Sequence, residues 1–192
     1  DEPDAIIRGD DVDALGGNAL TTESSAKVIA LLNAAPNGIQ AWSPDIAGLV
    51  QTSLNLGVVQ LDAELRMCWA IRSSVNAERD ALSEKLRELA AFHDATYSIS
   101  GIYPAWEYKK DSPLRDALVR IYTDMYHKDP QVVAIHAGLE CGIIGANCPG
   151  LDMISFGPTL RSPHSPDERA LIPTVSKFYD FLVATLEQTP EK

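Results

Sequence analysis

Large apolar residues take every second position from Leu65 to Ile71, alternating with smaller or charged ones up to Arg72. Leu65, Met67, Trp69 and Ile71 fall on one side, and Arg66, Cys68, Ala70 and Arg72 on the other. A period of two is the mark of a strand with one buried face. The run lies within "ELRMCWAIRSSV" (Glu64–Val75), which follows "LVQTSLNLGVV" (Leu49–Val59) across the polar "QLDA". Two β-rich runs joined by about four polar residues predict an antiparallel hairpin. Upstream, Val28, Leu31, Leu32 and Ala35 recur at helical spacing within Ser25–Ala35, and "PNG" (Pro36–Gly38) ends that helix. Downstream, Leu82, Leu86 and Leu89 form the apolar stripe of a helix from about Asn76 to His93. "ATYSISGIYP" predicts a short strand ending at Pro104. Helix, strand, strand, helix, strand in that order predicts an antiparallel sheet with helices on one face.

The pattern changes around "PAWEYKKDSP". Pro113 suits a first helical turn after a Ser112 cap, and Leu114, Leu118, Ile121 and Met125 give the helix its stripe. "VVAIHAG" and "LDMISFG" are short, continuous apolar runs ending in glycine, which predict buried strands of a mostly parallel sheet. A last helix is predicted from about Pro173, docked by Val175, Phe178, Leu182 and Leu186. The expected class is α/β: an antiparallel sheet with helices on one face over residues 1–105, then a strand–helix segment of an α/β domain over residues 106–192.

Composition narrows the functions. A formal net charge of −11, with no cluster of Lys and Arg, argues against nucleic acid as a partner. No apolar run approaches the ~20 residues of a membrane span, so no membrane partner is expected. The three cysteines are odd in number and lack C-x-x-C spacing, which fits neither a disulfide framework nor a zinc knuckle; a reducing, cytoplasmic setting is expected. The chain does not open on Met, and its first 25 residues read like a strand and loop entered midway, so it is expected to be the C-terminal part of a longer protein.

Candidate chemistry gathers where the two predicted strands of the second part run out, at "HAGLECG" and "GPTLRSPHSPDER". Ligands of α/β sheets collect at such carboxyl ends. His164 is open to three readings: metal ligand, general base, or structural loop histidine. His136 reads as core or as support for a site. Cys141, five residues on, makes a Cys–His nucleophile conceivable, although a small buried thiol is the commoner fate. Glu140 suits either a cation or a helix N-terminus. Asp167 and Glu168 are expected to start or cap the descent into the last helix. Arg72 is either a solvated arginine or an anion clamp, since guanidinium matches carboxylate geometry bidentately.

Five stretches, "NGIQAWSPDIAGLVQTSLNLGVV", "IRSSV", "GIYPAWEY", "AIHAGLECGII" and "DMISFGPTLRSPHSPDER", occur in this order. Together they resemble the aminoacyl-histidine dipeptidases, the Xaa-His peptidases or peptidase D family. These belong to a clan of di-zinc metallopeptidases with carnosinase, tripeptidase T and succinyl-diaminopimelate desuccinylase. The resemblance runs from about residue 30 to the end. It implies zinc-dependent hydrolysis of dipeptides, with Xaa-His favoured, by a catalytic α/β domain holding two zinc ions and carrying an inserted lid. The chain would then be the distal part of the lid and the C-terminal catalytic segment, with a homodimer through the lid.

By the same resemblance, His164 in "HSPDE" matches the last zinc ligand. The general base and the other ligands lie upstream, so no catalytic residue is expected in this chain. Arg72 matches a lid arginine that binds the substrate carboxylate, and Asn55 a lid asparagine near the scissile carbonyl. Gly138, Leu139 and Glu140 match a loop that cradles the C-terminal end of a short peptide substrate. "RSPHSPDE" and "YPAW" depart from the family's "RGAHSPDE" and "YPGW", which bears on fine specificity more than on metal binding. Two other readings stand beside this one: a non-catalytic lid and dimerisation module, and a related amidohydrolase acting on N-acyl amino acids.

Overall fold

Strand β3 (Leu65–Ser73) reproduces the alternation residue by residue, with Leu65, Met67, Trp69 and Ile71 half-buried and the residues between them exposed. It pairs antiparallel with β2 (Val50–Leu61) as the predicted hairpin, in the register Ser53↔Arg72, Leu54↔Ile71 and Leu56↔Trp69. The register slips at Gly57, between Leu56 and Val58, as in a β-bulge. This computed structural model describes residues 19–136 and 140–188. The reading of the first residues as a strand and loop falls largely outside them.

A third strand, β1 (Gly38–Trp42), pairs antiparallel with the other side of β2 and gives the order β1-β2-β3. The alternation does not announce it, because Ile39 and Trp42 are both exposed. It forms because β2 offers an open hydrogen-bonding edge. Gly38, at φ +76°, turns the chain into it from helix α1 (Thr22–Ala34), whose N-cap Thr21 accepts the Ser24 N–H. Left-handed backbone of this kind favours glycine.

Helix α2 (Asn76–Phe92) covers one face of the sheet. Leu82 and Leu86 are buried with Leu54, and Trp69, Ile71 and Tyr97 pack around them. A polar anchor fixes the helix start: Glu78 accepts hydrogen bonds from Gln51 Nε2 at 2.6 Å and from the Thr52 hydroxyl. The predicted strand through "ATYSISGIYP" is not one. That stretch has no neighbouring strand to pair with, and Tyr97 instead enters the core with its hydroxyl 2.6 Å from Ser83 Oγ.

Helix α3 (Pro113–Tyr126) starts as predicted, with Ser112 Oγ accepting the Arg115 N–H at 3.1 Å. The same hydroxyl donates to Asp152, which also accepts the Leu114 N–H at 3.0 Å. Leu118 and Ile121 are buried against Phe181 of α5 (Pro173–Gln188), and Tyr122 and Phe156 meet the Phe181 ring edge-on. The docking face of α5 matches the predicted one in part: Phe178, against Phe156, and Leu182 are half-buried as expected, but the centre of the face lies elsewhere. Phe181 and Thr185 are buried, whereas Val175 and Leu186 are 45% and 67% exposed. Thr185 is tolerated inside because its hydroxyl donates back to the Phe181 carbonyl at 2.8 Å.

"VVAIHAG" and "LDMISFG" form no strand among the described residues, and Val132, Val133 and Ile135 are exposed. Apolar content alone does not make a strand; a ladder needs a partner for its N–H and C=O groups. Both sheets described are antiparallel: the three-stranded one and the pair β4 (Leu160–Arg161) and β5 (Arg169–Ala170). Helix α4 (Glu140–Asn147) packs by its glycines. An added Cβ on Gly142 would lie 2.3 Å from the Pro104 carbonyl oxygen.

Candidate substrate-binding site

Arg72 projects from β3 on the face turned away from α2, and it is exposed. Ser53 is its direct cross-strand partner. Ser53 Oγ lies 2.7 Å from His136 Nε2, so a residue 83 positions along the chain is seated on the same patch of sheet. Burial and the Arg72 guanidinium both push the His136 ring below the usual histidine range, with the Val50 carbonyl opposing them in part. Both effects favour the neutral ring. Arg72 and His136 line one open cavity of about 1870 Å³, together with Trp106, Cys141 and Lys177.

Asn55 lies two residues along β2 from Ser53, on the same face and opposite Ala70. It is exposed and does not line the cavity. Glu140 opens α4 and is exposed. Gly138 and Leu139 lie outside the described residues. The described residues on either side of them are held in place. On one side stands the Ser53–His136 bond; on the other, α4 rests on "YPAW" through Gly142. "YPAW" is itself stitched to α2: Ala105 N–H donates to Asn76 Oδ1 at 3.0 Å, and Arg79 donates to the Tyr103 carbonyl at 2.8 Å. A Cys141–His136 nucleophile gains no support, because the ring's Nε2 is engaged by Ser53.

His164 sits in the loop between β4 and β5, exposed, with φ +64°. Ser162, two residues earlier, is also left-handed at φ +49°. The loop holds this shape with its own polar groups. Glu168 accepts the His164 N–H at 2.9 Å, Ser165 Oγ donates to the Ser162 carbonyl at 2.9 Å, and the Asp167 N–H donates to Ser165 Oγ. Glu168 thus closes the loop around His164 rather than capping the last helix, which begins only at Pro173.

Among the described residues, no group of three or more His, Cys, Asp and Glu side chains is placed to hold a metal. His164 fits as one exposed imidazole of a ligand set, and these residues alone do not make a metal centre. Sequence reasoning missed the partnership of His136 with Ser53. The alternation of β2 puts Ser53 and Asn55 on one face, but nothing local connects that face to a histidine so far along the chain.

No protein-family profile matches the chain. It is 37% identical over 175 residues to the cytosol non-specific dipeptidase of Escherichia coli (strain K12), a match that covers 91% of this chain and 36% of that protein. The crystal structure of aminoacylhistidine dipeptidase from Vibrio alginolyticus superposes with a TM-score of 0.84 at 38% identity, covering 94% of this chain and 37% of that one. Aminopeptidase PepT from Bacillus cereus ATCC 10987 shares the fold, with a TM-score of 0.68 at 14% identity over 85% of this chain. Among the described residues, no helix is long and apolar enough to cross a membrane. The chain spans somewhat over a third of the length of the two dipeptidases it matches at 37% and 38% identity, and its likeness to each runs over nearly all of its own length.

Proposed function

We propose that this chain is a segment of a dipeptidase, most of whose metal ligands and whose general base lie elsewhere in a longer polypeptide, and that Arg72 binds the substrate carboxylate. The observation that carries the reading is the setting of Arg72. It is exposed on the open face of the sheet, lines the cavity, and stands beside a histidine whose neutral form is favoured. The guanidinium is a positive charge on that patch, and a free carboxylate is a group it suits. A clamp on the C-terminal carboxylate selects short peptides by length, and Xaa-His dipeptides are the favoured substrate class. When bound, zinc would polarise the scissile carbonyl and activate a water; His164 would supply one imidazole to hold it. The lone candidate ligand also suits a second reading, in which this chain by itself is a non-catalytic lid and dimerisation module.

Arg72→Ala in the full-length protein tests the clamp. Hydrogen bonds to charged groups contribute about 1.5–3 kcal/mol, so kcat/KM for a dipeptide should fall roughly ten- to a hundred-fold. The C-terminal amide of the same dipeptide has no carboxylate to lose and should suffer less. Arg72→Lys should rescue in part, since it restores charge without the fork. Equal losses on both substrates would reduce Arg72 to a structural residue.

A further inference from the structure

The chain has one Asn–Gly pair, Asn37–Gly38, and it lies where α1 hands over to β1. β1 pairs with β2 from Gly38↔Leu54 onward. Two residues further back in that register stands Pro36, which can donate nothing to a ladder. The Asn37 side chain takes over instead: its Oδ1 accepts the Leu56 N–H at 3.2 Å. Gln40 braces the turn, its Nε2 donating to the Asn37 and Gly38 carbonyls at 3.1 and 3.3 Å. Asn37 and Gly38 are both exposed, Gly38 is left-handed at φ +76°, and a Cβ placed there would meet nothing within 4 Å. Water therefore has open access to the pair.

We propose that Asn37 is a site of spontaneous deamidation in the folded protein. The Gly38 backbone nitrogen, once it loses its proton to solvent base, adds to Asn37 Cγ. The side-chain nitrogen takes up a proton and leaves as ammonia, and a cyclic imide closes. Water then opens that ring at either carbonyl, giving aspartate or isoaspartate; no oxidant or cofactor is consumed. A side chain on the following residue obstructs the attack, and glycine has none. Negative charge builds on Oδ1 as the nitrogen adds, and the Leu56 N–H is already aimed at that atom. The bond that ends the ladder thus also assists the reaction. The two products differ in what they do to the sheet. Aspartate still accepts the Leu56 N–H, with a charge to strengthen the bond. Isoaspartate routes the main chain through the former side chain, adds a methylene ahead of β1, and displaces Gly38 from its place opposite Leu54.

The test ages the full-length protein in mildly alkaline buffer, native and in denaturant, and maps its peptides by mass spectrometry with enzymatic detection of isoaspartate. Asn37 should lose its amide in the native protein, faster as pH rises, and yield both aspartate and isoaspartate. Asn33, Asn55, Asn76 and Asn147, which precede Ala34, Leu56, Ala77 and Cys148, should keep theirs. Amide hydrogen exchange at Leu56 should stay protected in Asn37→Asp. It should quicken roughly fivefold in Asn37→Ala and in the separated isoaspartyl protein, the equivalent of about 1 kcal/mol for one lost hydrogen bond. Asn37 still amidated in the native protein, after the denatured chain has deamidated there, overturns the proposal. So does equal loss at the other asparagines, or a product that is aspartate alone, which would mean direct hydrolysis without the imide. Leu56 exchange unchanged in the isoaspartyl protein would overturn the effect on the ladder.

Discussion

Gly142→Ala and Gly145→Ala make the same chemical change three residues apart on α4, and the structure gives them opposite signs. Each replaces glycine by the best helix former, a gain of about 1 kcal/mol in a helix interior. At Gly145 the new methyl would meet Met153 Cε at 2.9 Å, the far end of a flexible side chain that can swing aside. At Gly142 it would lie 2.3 Å from the Pro104 carbonyl oxygen and 3.3 Å from two further backbone carbons. Backbone does not swing aside, least of all where Ala105 and Tyr103 are hydrogen-bonded to the start of α2. The helix must move instead, by roughly an ångström, and overpacking of this kind costs about 1–3 kcal/mol or more. Gly145→Ala should therefore be neutral or stabilising, Gly142→Ala destabilising, and the two should differ by about 2 kcal/mol.

Global unfolding is a poor gauge of one short helix. Amide hydrogen exchange across α4 reads its local opening directly. Exchange should quicken by more than tenfold in Gly142→Ala and slow or stay level in Gly145→Ala. Displacing α4 also displaces Glu140, at its first turn. KM for the dipeptide should rise in Gly142→Ala accordingly. If both substitutions slow exchange alike, α4 does not rest on Pro104, and the positioning of the site from that side is wrong.

Two further substitutions probe the C-terminal part. His164→Ala in the full-length protein should lower bound zinc, measured by metal analysis, and remove most activity; unchanged metal content would leave His164 a loop residue. Asp152→Asn should destabilise through α3. Burial pushes the Asp152 carboxyl up, but the Leu114 N–H, the Ser112 hydroxyl and Lys109 together hold it below the usual carboxylate range. A depressed folded pKa means that this stability is present above the unfolded value and is lost as pH falls through the folded one. The wild type should lose thermal stability at acid pH along a limb that Asp152→Asn flattens, and a limb of equal depth in both proteins would refute the link.

Local rules carried most of the fold. The hairpin and the helices α1, α2 and α3 follow from periodicity and from caps such as Ser112, which act over three or four residues. What periodicity missed depends on distant partners. β1 exists because β2 has an open edge, "ATYSISGIYP" is not a strand because nothing pairs with it, and the inward face of α5, which keeps the predicted Phe178 and Leu182, centres on Phe181 because Phe156 and Tyr122 receive it. The site divides in the same way. The exposed placement of Arg72 was legible from its alternation, and the loop position of His164 from its flanking prolines. The link between Ser53 and His136 was not, since it joins a strand to a segment 83 residues away.

The two histidines show how far placement alone can separate roles. His136 is half-buried, hydrogen-bonded through its ring, and biased to its neutral form by burial and by Arg72. Its ring is committed to the protein. His164 is the reverse: exposed, with its backbone rather than its ring secured, through the N–H donated to Glu168. Its backbone and that of Ser162 are both left-handed, on either side of Pro163. Such conformations cost of order 1 kcal/mol or more each outside glycine, and they persist only where surrounding bonds over-determine them. Here Glu168, Ser165 and the Leu171–Thr159 backbone bond at 2.9 Å do so. An exposed side chain gains nothing in burial from that cost. What the bonds fix is the course of the backbone and with it the Cα–Cβ direction of His164, as the metal role proposed above would require.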